Sequence, residues 1–368
     1  MNQQLKEQDN INWGKKNELL WIGLAIIIAG FIAKIPQFQG VREDLFYERN
    51  VSFIFLPLLM GYFIWKNNQS WNQLIIPAIG IIISIVYINF LPINEKSQTN
   101  QLAFFHLPIM TWLIFGYVYL GSKWNGFING VKLVRFTGDM LVMNVIILLS
   151  GFLFVAMTMG LFKLIGIDTA YMMQYYVLVW GLPAIPIIAT FIIENNPQVV
   201  NKISPVIAKI FTPMVTLMLF LFLIGIIVTG KNPSKDREFL LIFNALLIGV
   251  MALIIFSLSE MTKKGKQVLQ LYTLLVLSSI TILLNCIALY AIVFRLVEYG
   301  FSANRVAVVG ADLLIFTHLI LVTRKLFLFS KSSINVNDVE ETAGKFLPVY
   351  FIWTAFVVFL IPLIFGFK

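Results

Sequence analysis

Charge is what this chain has least of: only 12% of its 368 residues are Asp, Glu, Lys or Arg. A soluble globular domain carries about 25%, so a water-soluble fold is excluded at the outset. The chain has one cysteine, Cys286, which rules out an intramolecular disulfide. Cys286 lies in the apolar run Val268–Phe294 and is expected to be a small core residue. With two histidines, His106 and His318, a multi-histidine metal site is impossible. No G-x-x-x-x-G-K-[ST] or G-x-G-x-x-G stretch occurs, so an internal nucleotide engine is not expected. No H-E-x-x-H or G-x-S-x-G motif occurs either, which leaves enzyme readings with little support and calls for no cofactor or metal. No polar stretch is long enough for a separate soluble domain. No fixed-period repeat is visible, although transporter repeats can persist as faint hydropathy symmetry alone.

What the chain has in abundance is apolar sequence, 59% hydrophobic residues and a mean hydropathy of +0.86. A membrane span needs about 20 apolar residues. The candidate runs are Leu19–Ile35, Val51–Trp65, Leu74–Leu91, Leu102–Leu120, Met140–Phe162, Tyr171–Ile193, Val206–Thr229, Phe239–Ser259, Val268–Phe294, Val306–Phe329 and Phe346–Phe365. Only helices satisfy their own backbone in lipid. The expected fold is therefore all-α: a polytopic transmembrane helix bundle of about eleven spans, one membrane domain over 18–368 with the lipid bilayer around it. Val51–Trp65 is short and carries Pro57, so it either spans or re-enters.

The formal net charge of +9 would suggest nucleic acid in a soluble chain. Here the basic residues sit in short connections between apolar runs, which is how a membrane protein fixes its orientation, and no nucleic-acid partner is expected. With eleven spans, 16 of the 27 Lys and Arg fall on the N-terminal side and 11 on the other. The tail, 1–17, is therefore expected to be cytoplasmic and the C-terminus outside. Dropping Val51–Trp65 moves the tail but leaves the second half of the chain oriented as before. Ser122–Gly138 places Trp124, Phe127, Ile128 and Val131 at helical spacing among Lys123, Lys132 and Arg135, and reads as an amphipathic segment in the cytoplasmic headgroup layer. Lys331–Lys345 reads as a solvated cytoplasmic loop that offers a docking segment.

Ionisable residues inside spans are costly and mark functional positions. Asp312 lies seven residues below Arg305, two helical turns on one face. Together they either form a polar track entering from outside, or Asp312 bonds a neighbouring helix, with Asn285 as its candidate partner. His318 lies near mid-bilayer on another face, as a relay residue or as a neutral imidazole bonded across helices. His106 is expected at the interface. Lys163, Lys209, Arg324 and Lys325 read as anchors near span ends. Pro183 and Pro186, in "WGLPAIP", delete two donors within one turn and either kink the helix or break it, exposing carbonyls at mid-membrane.

The stretch "RLVEYGFSANRV" reads as the outer corner of a helical hairpin. Gly300 supports a tight reversal, Ser302 is a candidate N-cap, and Glu298 is placed to bridge Arg295 and Arg305. "EYGFSANR" resembles the signature, roughly Glu-Tyr-Gly-Leu-Thr-Pro-Asn-Arg between two late spans, of a bacterial integral-membrane family known as domain of unknown function four-one-five-three. "SPVIAKIFTP" (Ser204–Pro213) and "GLFKLIGID" (Gly160–Asp168) are similar to it as well, so the resemblance extends from about Gly126 onward. The chain departs from the signature at Phe301, Ser302 and Ala303. The matched positions are Glu298, Tyr299, Gly300, Asn304 and Arg305, and the resemblance implies a bacterial inner-membrane protein with no assigned substrate or reaction.

Three function classes follow. The first is a membrane protein that moves or senses a small solute, ion or lipid along Arg305, Asp312 and His318. The second is a scaffold or sensor that binds protein partners, or further copies of itself, through Lys331–Lys345 and Ser122–Gly138. The third, a membrane-embedded transferase, has only Asp312 with Arg305 to offer and no motif behind it.

Overall fold

The computed structural model describes residues 12–39, 41–94, 96–121, 130–164, 168–229, 237–262 and 268–368. Those residues are helical nearly throughout and contain no strand. The helices are α1 (Lys16–Ala33), α2 (Glu43–Lys66), α3 (Trp71–Phe90), α4 (Gln98–Leu120), α5 (Gly130–Leu164), α6 (Ala170–Asn195), α7 (Pro197–Thr229), α8 (Arg237–Thr262), α9 (Val268–Tyr299), α10 (Ala303–Ser330), α11 (Val336–Gly344) and α12 (Leu347–Ala355). After α12 the chain continues through a π-helical turn, Phe356–Leu360, into Ile361–Ile364.

Among the described residues ten segments are long and apolar enough to cross a membrane. They are helical because lipid offers no water to the backbone, and their hydroxyls follow the same logic. Thr111, Thr158, Thr212 and Thr317 each donate to the carbonyl one turn back. The outward faces are apolar: Phe152 and Phe154 on α5 and Ile227 on α7 are exposed, an arrangement suited to lipid and not to water. This is a multi-pass membrane helix bundle. The eleventh run, Val51–Trp65, is the second half of α2, a 24-residue helix unbroken through Pro57, and it is not among the ten. Glu43, Asp44, Glu48 and Arg49 fill its first two turns, so it is less apolar than the other ten.

The helices group into two compact units. The first takes Met1–Asn89, Tyr117–Gly121 and Phe136–Ser204. In it α1 packs against α6 and α2, and the small residues Ala25, Ala29 and Ala33 of α1 are buried. Trp180 of α6 lies on Gly30 of α1, where a β-carbon would stand 2.3 Å from the indole. Small residues allow close helix approach where lipid supplies no hydrophobic drive.

The second unit takes Phe90–Gly116, Ser122–Arg135 and Pro205–Lys368. Its core joins Leu247 and Ile254 of α8, Leu274, Leu277 and Leu284 of α9, and Leu319, Val322 and Leu326 of α10. A smaller core joins Ala303 and Ala307 of α10 to Val357 and Ile361.

Several expectations are corrected. Cys286 is exposed, one helical step off the buried face of α9 that Leu284 and Asn285 share, so it is not a core residue. Lys331–Lys345 is not a loop. Asn335 and Asp338 form a capping box, and the helix they start, α11, buries Val339 and Ala343 in the core. Within Ser122–Gly138, residues 122–129 lie outside the described ones, while Gly130–Gly138 runs without a break into α5. α6 stays helical through Pro183 and Pro186. Its irregularity lies upstream, in a π-helical turn at Met173–Leu178.

Candidate functional site

The corner between α9 and α10 forms as its sequence dictates. Gly300 has φ +76°, which a residue without a β-carbon adopts at no cost. Ser302 caps α10, its hydroxyl accepting from the Arg305 amide at 3.4 Å. Arg305, however, does not lead inward or pair with Glu298. Its guanidinium donates to the carbonyls of Tyr299 at 2.9 Å and Gly300 at 2.6 Å, satisfying acceptors that the end of α9 leaves open. The guanidinium carbons of Arg295 and Arg305 lie 5.7 and 5.5 Å from the Tyr299 ring centroid, within cation–π range. Glu298 is exposed and Asn304 half-buried. The matched residues therefore build and brace a hairpin corner.

Below the corner the polar residues are sealed in. Asp312 is 1% exposed, and Asn285 and His318 are 0% exposed. At 1.5 Å per residue, Asp312 stands about 13 Å along α10 from Ala303, and His318 about 22 Å. Asn285 stands about 21 Å along antiparallel α9 from Tyr299, level with His318. Asn285 bonds neither Asp312 nor any other described residue: both its amide atoms are buried without a partner, as is Asp312 Oδ2. The cross-helix bond expected between Asp312 and Asn285 is thus not formed. His318 shares a hydrogen bond through Nδ1 with the Tyr350 hydroxyl at 2.9 Å and stacks on Phe346 with centroids 4.2 Å apart. Its Nε2 is buried without a hydrogen-bond partner. The hairpin thus holds a carboxyl, a carboxamide and an imidazole, each with unused hydrogen-bonding capacity in a setting where that capacity is expensive.

Of the remaining sequence candidates, His106 spends Nδ1 on the Leu102 carbonyl of its own helix at 2.9 Å. Lys209 and Arg324 are exposed and Lys325 is half-buried. The side chain of Lys163 lies outside the described residues. Among the described residues no three His, Cys, Asp or Glu converge on a metal position.

Two ionic clusters escaped the sequence reading. In the first unit Lys66 at the end of α2 reaches Glu194 at 3.1 Å and Glu18 at 3.4 Å. Glu18 also accepts from Tyr62, and from Asn195 at 3.0 Å. These contacts tie the start of α1 to the ends of α2 and α6. In the second unit Arg135 lies 3.5 Å from Glu260 and 3.7 Å from Glu340, joining the start of α5, the end of α8 and α11. The only sequence signal for the first cluster is the i, i+4 spacing of Tyr62 and Lys66; its other members come from distant helix ends.

Comparison of the chain with protein-family models, curated proteins and solved structures finds no match.

Proposed function

We propose that this multi-pass protein belongs to the bacterial family whose signature "EYGFSANR" resembles, sits in the cytoplasmic membrane, and moves or senses a small solute, ion or lipid. The working residues on this reading are Asp312, Asn285 and His318 of the α9–α10 hairpin. Its main support is a single observation: Asp312 Oδ2, inside a span, has no hydrogen-bond partner; the 1% exposure of Asp312 counts against the transport form of the reading, which needs water to reach the carboxyl. An acid at the centre of a span costs about 2.5–3.5 kcal/mol on insertion scales. A residue kept at that cost without a bond that improves packing points to a role beyond packing. Because Asp312 is sealed in this conformation, the function needs a second conformation in which the hairpin admits water.

The excess of Lys and Arg in the connections on the N-terminal side supports a cytoplasmic N-terminus and an outward-facing corner. The scaffold reading has less behind it, because Val339 and Ala343, the apolar face of α11, are already spent on the bundle core. The test is a proteoliposome flux screen over small ions and solutes. On this account any flux found in the wild type falls at least about tenfold in Asp312→Asn, about 1.4 kcal/mol of lost stabilisation. Full flux in Asp312→Asn and His318→Ala would remove both residues from the mechanism.

A further inference from the structure

A groove of about 550 Å³ runs between α9 and α10 in the halves of these helices remote from the corner. Val276 and Leu283 of α9 and Ile320 and Phe327 of α10 line it, and all four are exposed. In a chain that spans a bilayer such a surface meets acyl chains and not water.

The groove is not wholly apolar, however. Arg324 lines it, and the Arg324 guanidinium forms no ion pair with any described residue. Arg324 stands about 31 Å along α10 from Ala303, within two turns of the end of the helix at Ser330, where a lipid headgroup would lie. A second cation marks the same end, since Lys331 Nζ lies 4.4 Å from the ring centroid of groove-lining Phe327.

Thr323, also in the lining, is the odd hydroxyl of the hairpin. Thr273, Ser279 and Thr281 on α9 and Thr317 on α10 all donate to the carbonyl four residues back. Thr323 Oγ1 is buried and makes no hydrogen bond. A hydroxyl has every means to back-bond within a helix, but being buried it offers no contact to a molecule in the groove.

We infer that this groove binds one anionic phospholipid: an acyl chain between α9 and α10, with the phosphate on Arg324. The guanidinium fork matches phosphate geometry. Two cations at one end favour a net-negative headgroup over a zwitterionic one that brings its own ammonium. On the charge-derived orientation this is a lipid of the cytoplasmic leaflet. The site is separate from Asp312 and stands whether or not the chain transports anything.

The test is native mass spectrometry of the purified full chain in nonionic micelles, incubated with equal phosphatidylglycerol and phosphatidylcholine. The wild type is expected to hold one phosphatidylglycerol in roughly tenfold preference. Arg324→Gln brings the two lipids level. Ser279→Phe fills the groove from an exposed position, leaves the charge in place, and removes the adduct altogether. Excess inorganic phosphate does not displace the lipid. Equal occupancy by the two lipids in the wild type would overturn the assignment and mean only an annular layer. A preference that survives both Arg324→Gln and Ser279→Phe, with melting temperatures unchanged, would also overturn it. Displacement by phosphate would mean an anion site in place of a lipid site.

Discussion

His318 of α10 and Tyr350 of α12 share a 2.9 Å hydrogen bond, with Phe346 stacked on the imidazole. It ties one of the three buried polar residues of the hairpin to α12. Removing the hydroxyl in Tyr350→Phe costs about 0.5–1.5 kcal/mol. His318→Phe keeps the stack but strands the Tyr350 hydroxyl, and costs about 1–3 kcal/mol. In thermal melts of the micellar protein the double variant is less destabilised than the sum of the two. Additivity would mean that the bond contributes nothing.

Trp353 covers Gly310 so closely that a β-carbon there would stand 2.0 Å from the indole. Gly310→Ala therefore forces the ring or the helix aside, at about 1–3 kcal/mol. Because the clash comes from the ring, Gly310→Ala combined with Trp353→Ala is less destabilised than the sum of the two single variants. A Gly310→Ala variant that melts with the wild type would show that the helices stand further apart than this.

Lys66 answers two carboxylates, those of Glu18 and Glu194. Lys66→Met leaves both uncompensated, and because the lysine is a quarter exposed the loss falls toward the low end of the ~3–5 kcal/mol for a broken buried pair. Adding Glu18→Gln recovers part of the loss, which a melting series reads directly. If the double variant melts lower than Lys66→Met, the lysine is not acting on Glu18.

Cys286 is a built-in reporter of the lipid-facing side of α9. It stands about 20 Å along the helix from Tyr299, near the middle of the membrane. A bimane attached there is quenched by nitroxide at mid-chain of the lipid and not by aqueous iodide. Quenching by iodide would put water, not lipid, against this face.

The parts of the architecture that were legible in the sequence are those set by neighbours in the chain. Apolar run length foretells each span, and Gly300 with Ser302 foretells the corner, since a φ preference and an N-cap act within a few residues. α11 carried its signal too, in Asn335 and Asp338 at capping-box spacing, but the acidic surroundings read as a loop. Contacts between remote helix ends leave no such trace. Glu18 and Asn195 meet across 177 positions, and apolar runs do not record which face of a helix turns inward. For the same reason Asp312 and Asn285 were paired on chemistry alone. Whether two buried groups bond depends on helix rotation of tens of degrees, below what hydropathy resolves.

The most direct test of the proposed path is whether water reaches position 312 in a working membrane. In a Cys286→Ala background, Asp312→Cys in membrane vesicles would be treated with a small cationic methanethiosulfonate. The account predicts that the thiol reacts, faster than one placed at lipid-exposed Leu313, because the hairpin opens to water at times. A cysteine at 312 that stays unmodified from both sides of the membrane, while reacting fully once the protein is unfolded in detergent, would contradict it.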